Sequence, residues 1–202
     1  IRDIGTQIDR LKARLSIPAF AAPMFLISGP DLVIEACKAG VIGAFPTLNA
    51  RPVEVLEQWF QRITRELAAA EQLHPGKIAP WAANLIVHKS NARFEPDFEL
   101  ICEYKPEIVI TSLGSPERAA GRVHEYGGLV FADVNSVEFA RKAAERGADG
   151  LILICEGAGG HTGFLPAAEF IPAVREFFAG PIIVGGAIST GGDIRRVIEL
   201  GA

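Results

Sequence analysis

The sequence predicts an α/β fold, a (β/α)8 barrel of the TIM type, from three observations. Seven short apolar runs alternate with helical segments along the 202 residues. The runs are apolar throughout, which is typical of parallel strands that are covered on both faces. A helix end, a glycine and the start of a strand recur in that order at residues 38–41, 145–150 and 200–202, as expected where a glycine ends each helix.

Each predicted strand is followed by a predicted helix. The strands are expected at residues 17–23, 41–45, 80–85, 107–112, 129–134, 150–155 and 180–186. The helices are expected at residues 31–39, 52–73, 97–105, 116–126, 136–146, 167–178 and 193–200. The longest of these helices carries Leu56, Phe60 and Ile63 at helical spacing, which indicates one face packed against a core.

The number of strand–helix units indicates whether the predicted sheet closes into a barrel. A barrel of this type needs eight strand–helix units, and the sequence supplies seven. We therefore expect one domain over residues 1–202, with the eighth strand lying beyond the sequence. An open seven-stranded sheet is the alternative, but it would leave a long edge strand exposed. A doubly wound fold would carry a dinucleotide fingerprint after the first strand, and residues 22–29 do not.

Composition excludes several classes of function. Twenty basic and 24 acidic residues give a net charge of −4, so neither nucleic acid nor an anionic membrane is an expected partner. No apolar stretch is long enough for a membrane span, and the first residues do not form a signal peptide. Three scattered cysteines and four histidines without helical spacing predict no disulfide framework and no metal site. A cytoplasmic enzyme is the expectation, and a homodimer is left open.

The chemistry of a barrel lies in the loops after its strands. The most informative loop is residues 157–163, GAGGHTG, which follows the sixth strand. Gly159 and Gly160 carry no Cβ, so a flat or anionic ligand can approach their backbone closely. His161 is a candidate base or hydrogen-bond donor, because an unperturbed histidine side chain changes charge close to physiological pH. A solvated turn is the alternative interpretation.

Other strand ends supply further candidates. Gly185 and Gly186 follow the seventh strand, where barrels commonly bind a phosphate beside a helix N-terminus. The Asn84 carboxamide ends the third strand and could offer both a donor and an acceptor to a ring edge. Asp133 and Glu156 also lie at strand ends, and either could act as a base or cap a loop. No lysine lies at a strand end, which disfavours Schiff-base chemistry.

These motifs resemble those of the nitronate monooxygenase family, also called 2-nitropropane dioxygenases, which are FMN-dependent barrels. Residues 22–24 (APM) are similar to the first-strand motif, residues 81–85 (WAANL) to the third strand, and residues 134–137 (VNSV) to the turn after the fifth. Residues 157–163 resemble the A-G-G-H-x-G signature, and residues 183–188 (IVGGAI) resemble the phosphate-binding strand and loop.

The resemblance implies a flavoenzyme in which an alkyl nitronate reduces FMN and O2 reoxidises it. His161 is the implied catalytic residue. The implied cofactor-binding residues are Ala22, Pro23, Met24, Asn84, Asp133, Gly159, Gly160, Gly185 and Gly186. An FMN-dependent enoyl-acyl-carrier-protein reductase that uses NADH or NADPH is the alternative within this resemblance. A cofactor-free isomerase or aldolase barrel and a non-catalytic binding barrel are the two further alternatives.

Overall fold

The computed structural model describes residues 3–202, in which seven parallel strands form one sheet in the order of the sequence. The strands are β1 (Phe20–Ala21), β2 (Ile42–Pro46), β3 (Trp81–Ile86), β4 (Ile108–Ser112), β5 (Leu129–Val134), β6 (Gly150–Ile154) and β7 (Ile182–Gly185). The helices are α1 (Ile4–Lys12), α2 (Pro30–Lys38), α3 (Val53–Leu73), α4 (Phe94–Tyr104), α5 (Glu117–Glu125), α6 (Val137–Glu145), α7 (Ala167–Arg175) and α8 (Gly191–Glu199).

The repeating strand–helix order confirms the predicted fold class. Each strand pairs in parallel with the next one in the sequence, and a helix follows each strand, as in a TIM-type barrel. A short 3-10 helix, Thr47–Asn49, follows β2 before α3 begins. Among residues 3–202, no helix combines the length and the apolar character needed to cross a bilayer.

The two faces of the curled sheet are buried in different ways. The outer face is covered by helices, and its larger cluster includes Phe45 from β2 and Leu56 and Phe60 from α3, all completely buried. The inner face is filled by side chains of the strands themselves, including Ile110 and Phe131. Because both faces are covered, the strands are apolar throughout, as the sequence indicated.

Helix α1 covers part of the inner face and is absent from the predicted seven units. Its Leu11 is buried in the inner cluster, and Ile4 and Ile8 pack against the same cluster. Asp3 caps the helix by accepting a hydrogen bond from the Thr6 N–H over 3.1 Å, which satisfies a donor that a helix start leaves free. The helix therefore closes one end of the inner core and leaves the other end for a site.

Candidate functional site

Strand alternation places three polar side chains on the inner face, at the carboxyl ends of β3, β4 and β5. Side chains two residues apart point to the same face of a strand, so Ser112 shares the inner face with Ile110, and Asp133 shares it with Phe131. Asn84 lies opposite Ile110 in the β3–β4 register. We call Asn84, Ser112 and Asp133 the polar chain.

The polar chain is joined by hydrogen bonds with a fixed direction. The Asn84 Nδ2 donates to the Ser112 Oγ over 2.6 Å and to the Ile110 carbonyl oxygen over 3.3 Å. The Ser112 hydroxyl in turn donates to the Asp133 Oδ2. Because a carbonyl can only accept, the Ile110 contact fixes the orientation of the Asn84 amide.

This arrangement corrects the expectation that Asn84 offers a ring edge both a donor and an acceptor. Both N–H bonds of its amide are directed at protein atoms, so only Oδ1 remains for a ligand. A ligand that contacts the Asn84 amide would therefore have to supply an N–H or O–H donor. Ser112 was not among the predicted site residues, although alternation from Ile108 and Ile110 places it on the inner face.

Asp133 is the more unusual of the two carboxylates that the sequence left open. Burial raises the pKa of Asp133 from 3.8 to about 6, although the Ser112 hydrogen bond and the charge of His161 both lower it. Glu156, by contrast, is exposed at the end of β6. The structure therefore places Asp133, and not Glu156, in a polar environment that is partly shielded from water.

The raised pKa of Asp133 predicts a stability that depends on pH. Between pH about 4 and 6 the folded protein binds more protons at Asp133 than the unfolded chain does, so stability falls as the pH rises through this window. Asp133→Asn cannot ionise and should escape this loss. In denaturant unfolding, the wild type and Asp133→Asn should be equally stable near pH 4. At pH 7 the variant should be more stable than the wild type by roughly 1–3 kcal/mol. A variant that is no more stable at pH 7 would contradict the raised pKa.

The glycine-rich loop after β6 is anchored close to the strand end. The Gly163 N–H and the Thr162 hydroxyl both donate to the Cys155 carbonyl oxygen over 3.3 Å. A Cβ on Gly163 would lie only 2.0 Å from the Ile154 carbonyl oxygen, so this position requires glycine. The anchored loop carries His161 above the end of β6, beside the Asp133 end of β5.

Gly159 and Gly160 leave open space in this loop. A Cβ built on either would have no heavy atom within 4 Å, and Gly160 has a φ of +76°. The bare backbone predicted from the sequence is therefore present and unobstructed. His161 is exposed, and its imidazole makes no hydrogen bond to any of residues 3–202.

The loop after β7, where the sequence predicts a phosphate site, has a backbone donor without an acceptor among residues 3–202 and a helix start that is already capped. Gly186 has a φ of +133°, and its N–H has no hydrogen-bond acceptor among the described residues. The N-terminus of α8, however, is capped by Asp193, which accepts hydrogen bonds from the Ser189 and Thr190 N–H groups. The Gly186 N–H is therefore left without an acceptor in the described part of the chain, whereas the start of α8 already holds a negative charge.

Residues 22–24, predicted to lie against the cofactor, begin a loop that is held by two polar side chains. The Ser28 Oγ accepts a hydrogen bond from the Met24 N–H over 2.9 Å. The Asn49 Nδ2 donates to the Met24 and Ser28 carbonyl oxygens over 2.9 and 2.8 Å. Neither Ser28 nor Asn49 was predicted, because the fixing of this loop depends on the turn after β2, which is distant in sequence.

Comparison with known proteins gives a family match over most of the chain. A family model described as nitronate monooxygenase matches residues 9–202. The chain belongs to the nitronate monooxygenase family. The match contains every site residue described above, from Ala22 to Gly186.

Individual relatives of this nitronate monooxygenase family member are distant. A nitronate monooxygenase of Neurospora crassa is 26% identical and is matched over 90% of this chain and 56% of its own length. The (3aS,4S,5R,7aS)-5-hydroxy-7a-methyl-1-oxo-octahydro-1H-indene-4-carboxyl-CoA dehydrogenase of Mycobacterium tuberculosis is 24% identical over 92% of this chain and 49% of its own. The chain therefore spans about half the length of these curated relatives.

A solved structure supports the barrel architecture. The nitroalkane oxidase of Streptomyces ansochromogenes superposes with a TM-score of 0.81 at 20% sequence identity, over 96% of this chain and 65% of that one. At this identity the likeness shows the fold. In barrel enzymes in general the active site lies at the carboxyl ends of the strands, which is the end where the polar chain and His161 lie in this chain.

Exposed large apolar side chains concentrate at this end of the curled sheet. They belong to the loops and first helical turns that follow β1, β4, β5, β6 and β7. They are Met24, Phe25, Leu26, Ile27, Leu113, Phe139, Phe164 and Ile188. An apolar rim around a polar centre is typical of sites that bind small organic molecules.

Proposed function

We propose that the protein is an FMN-dependent oxidoreductase that oxidises alkyl nitronates with O2. The observation that carries this proposal is the open space beside the backbone of Gly159 and Gly160, in the loop that carries His161 and follows β6, the strand paired with the Asp133 end of β5. Family membership supports it, as do the names of the Neurospora and Streptomyces relatives.

The residues present fit a flavin. Its planar ring would lie against Gly159 and Gly160, and Asn84 Oδ1 would accept a hydrogen bond from an N–H of the ring edge. The Gly186 N–H would bind the phosphate, with Gly185 beside it. Ala22, Pro23 and Met24 would border the ring from β1. When bound, FMN supplies the electron transfer and the reaction with oxygen.

His161 would act on the substrate. Its position on an anchored loop lets one ring nitrogen reach a nitro oxygen or the α-carbon proton of a nitroalkane. Removal of that proton converts the neutral nitroalkane to the nitronate, while the electron pair of the C–H bond stays on the substrate. A nitronate added as such does not need this step.

Gly159→Val tests the cofactor site directly. In the protein alone the added side chain meets open space, so folding should be unaffected, whereas a ring lying on this backbone would be displaced. We expect FMN affinity, measured by quenching of flavin fluorescence, to fall at least about tenfold, or ~1.4 kcal/mol. Gly121→Ala, on the exposed side of α5, is the control and should bind FMN normally. Unchanged affinity in Gly159→Val would remove the ring from this position.

A second candidate is the reduction of an unsaturated acyl thioester by NADH or NADPH through the same flavin. The apolar rim, which includes Phe25, Leu26 and Phe164, favours a substrate with an extended apolar part. The relative that is named a carboxyl-CoA dehydrogenase also favours a thioester. Flavin reduction by NADH or NADPH, with no response to a nitronate, would select this candidate.

A further inference from the structure

The polar chain ends in a carboxylate whose second oxygen has no partner. Asp133 Oδ2 accepts the Ser112 hydroxyl, whereas Oδ1 has no hydrogen bond to any of residues 3–202. The imidazole of His161 also lacks a partner in the described chain. The charge of a protonated His161 opposes the rise in the pKa of Asp133 that burial causes.

The loop geometry brings Asp133 and His161 to the same side of the site at the carboxyl ends of the strands. Asp133 is paired with Ile152 in the β5–β6 register, so it lies beside β6 near the end of the sheet. The loop that carries His161 returns to Cys155 at the end of that same strand. Both free groups therefore lie at the adjoining ends of β5 and β6.

We propose that Asp133 is a positioning residue for His161, accepting a hydrogen bond from one imidazole N–H so that the other ring nitrogen stays free as a base. This inference rests on the proposed function. The base step moves the α-proton from the substrate carbon to the free nitrogen. The resulting imidazolium keeps both N–H bonds, and the Asp133 carboxylate stabilises its positive charge. No oxidant is needed for this step.

The hydrogen bonds of the polar chain orient the Asp133 carboxylate for the proposed contact with His161. The Ser112 hydroxyl has one proton, and that proton is directed at Asp133 because Asn84 donates to the same hydroxyl oxygen. The hydrogen bond holds the Asp133 carboxyl group in one orientation, with Oδ1 directed away from Ser112. In Asp133→Asn the Ser112 hydroxyl would still find an acceptor, the carboxamide oxygen, so the amide NH2 would face His161 and would donate to it.

The test is the tautomer of His161, read from the ring ¹⁵N chemical shifts of histidine-labelled protein without any substrate or flavin. The wild type should show one predominant neutral tautomer, and Asp133→Asn should show the opposite one. Glu156→Gln, which removes the exposed carboxylate on the same loop, is the matched control and should leave the tautomer unchanged. The same tautomer in wild type and Asp133→Asn would overturn the proposal.

Kinetics separate this inference from the proposed function. Asp133→Asn should lower kcat for a neutral nitroalkane at least about tenfold more than it lowers kcat for a preformed nitronate. Equal losses with both substrates would assign Asp133 to binding or folding and overturn the positioning role. A tautomer that inverts in a protein with no nitronate reaction would support the positioning role and refute the proposed substrate.

Discussion

Replacing His161 by alanine is expected to lower kcat/KM for a neutral nitroalkane by about 10²–10⁴, the usual contribution of a positioned general base. The imidazole is exposed and makes no hydrogen bond to residues 3–202, so its removal should cost little stability. Steady-state oxygen consumption at saturating and limiting nitroalkane would measure the loss. FMN affinity should be unchanged, because the proposed position of the ring is against the glycine backbone and not against the histidine.

The control for this variant is His74→Ala. His74 is exposed at the C-terminal end of α3, outside the strand-end loops that form the site. It should retain wild-type kinetics with both substrates. If His161→Ala turned over nitroalkane at the wild-type rate, His161 would not be the base, and the tautomer inference would lose its functional meaning.

Phe60→Ala is expected to cause the largest loss of stability, about 3–5 kcal/mol. Phe60 is completely buried on α3. Its ring lies 5.0 Å from that of Trp81 and 5.6 Å from that of Tyr104, centroid to centroid, and it also packs edge-on against Phe45. Truncation leaves a cavity between α3 and the strands β2 and β3, and it removes several aromatic contacts at once.

Chemical denaturation followed by circular dichroism would measure this loss. Leu73→Ala is the matched control, because the Leu73 side chain lies at the end of the same helix and is 76% exposed. It should change the free energy of unfolding by no more than about 0.5 kcal/mol. A loss below about 1 kcal/mol for Phe60→Ala would show that α3 does not hold the outer face of β2 and β3 as described.

The strands and their order could be predicted because each apolar run is long enough for one strand and ends at a glycine, proline or polar residue. Helix α1 was missed, although Ile4, Ile8 and Leu11 have helical spacing. A helix that precedes the first strand is not part of the repeating unit. Its packing on the inner face became clear only from the structure.

The positions of the candidate site residues could be predicted from the sequence, but their hydrogen bonds to one another could not. The sequence placed Asn84, Asp133 and His161 at strand ends, but the direction of the Asn84 amide depends on Ser112 in the next strand. Tertiary contacts of this kind are not visible in a local pattern. Alternation along β4 from Ile108 would have brought Ser112 to the inner face and predicted the polar chain.

The surroundings of the glycines in the loop after β6 also could not be predicted from the sequence. Gly159 and Gly163 stand four residues apart in one motif, yet a Cβ on the first meets open space and a Cβ on the second would collide with the Ile154 carbonyl. The sequence indicates that both positions favour glycine. Only the fold shows that one leaves room for a ligand while the other allows the loop to pack against β6.

Anaerobic mixing of the FMN-loaded protein with an alkyl nitronate tests the central claim most directly. We predict that the visible absorbance of the flavin is bleached on addition of the nitronate and returns when O2 is admitted. A flavin spectrum that is unaffected by the nitronate but bleached by NADH or NADPH would contradict the account and identify the protein as a nicotinamide-dependent reductase.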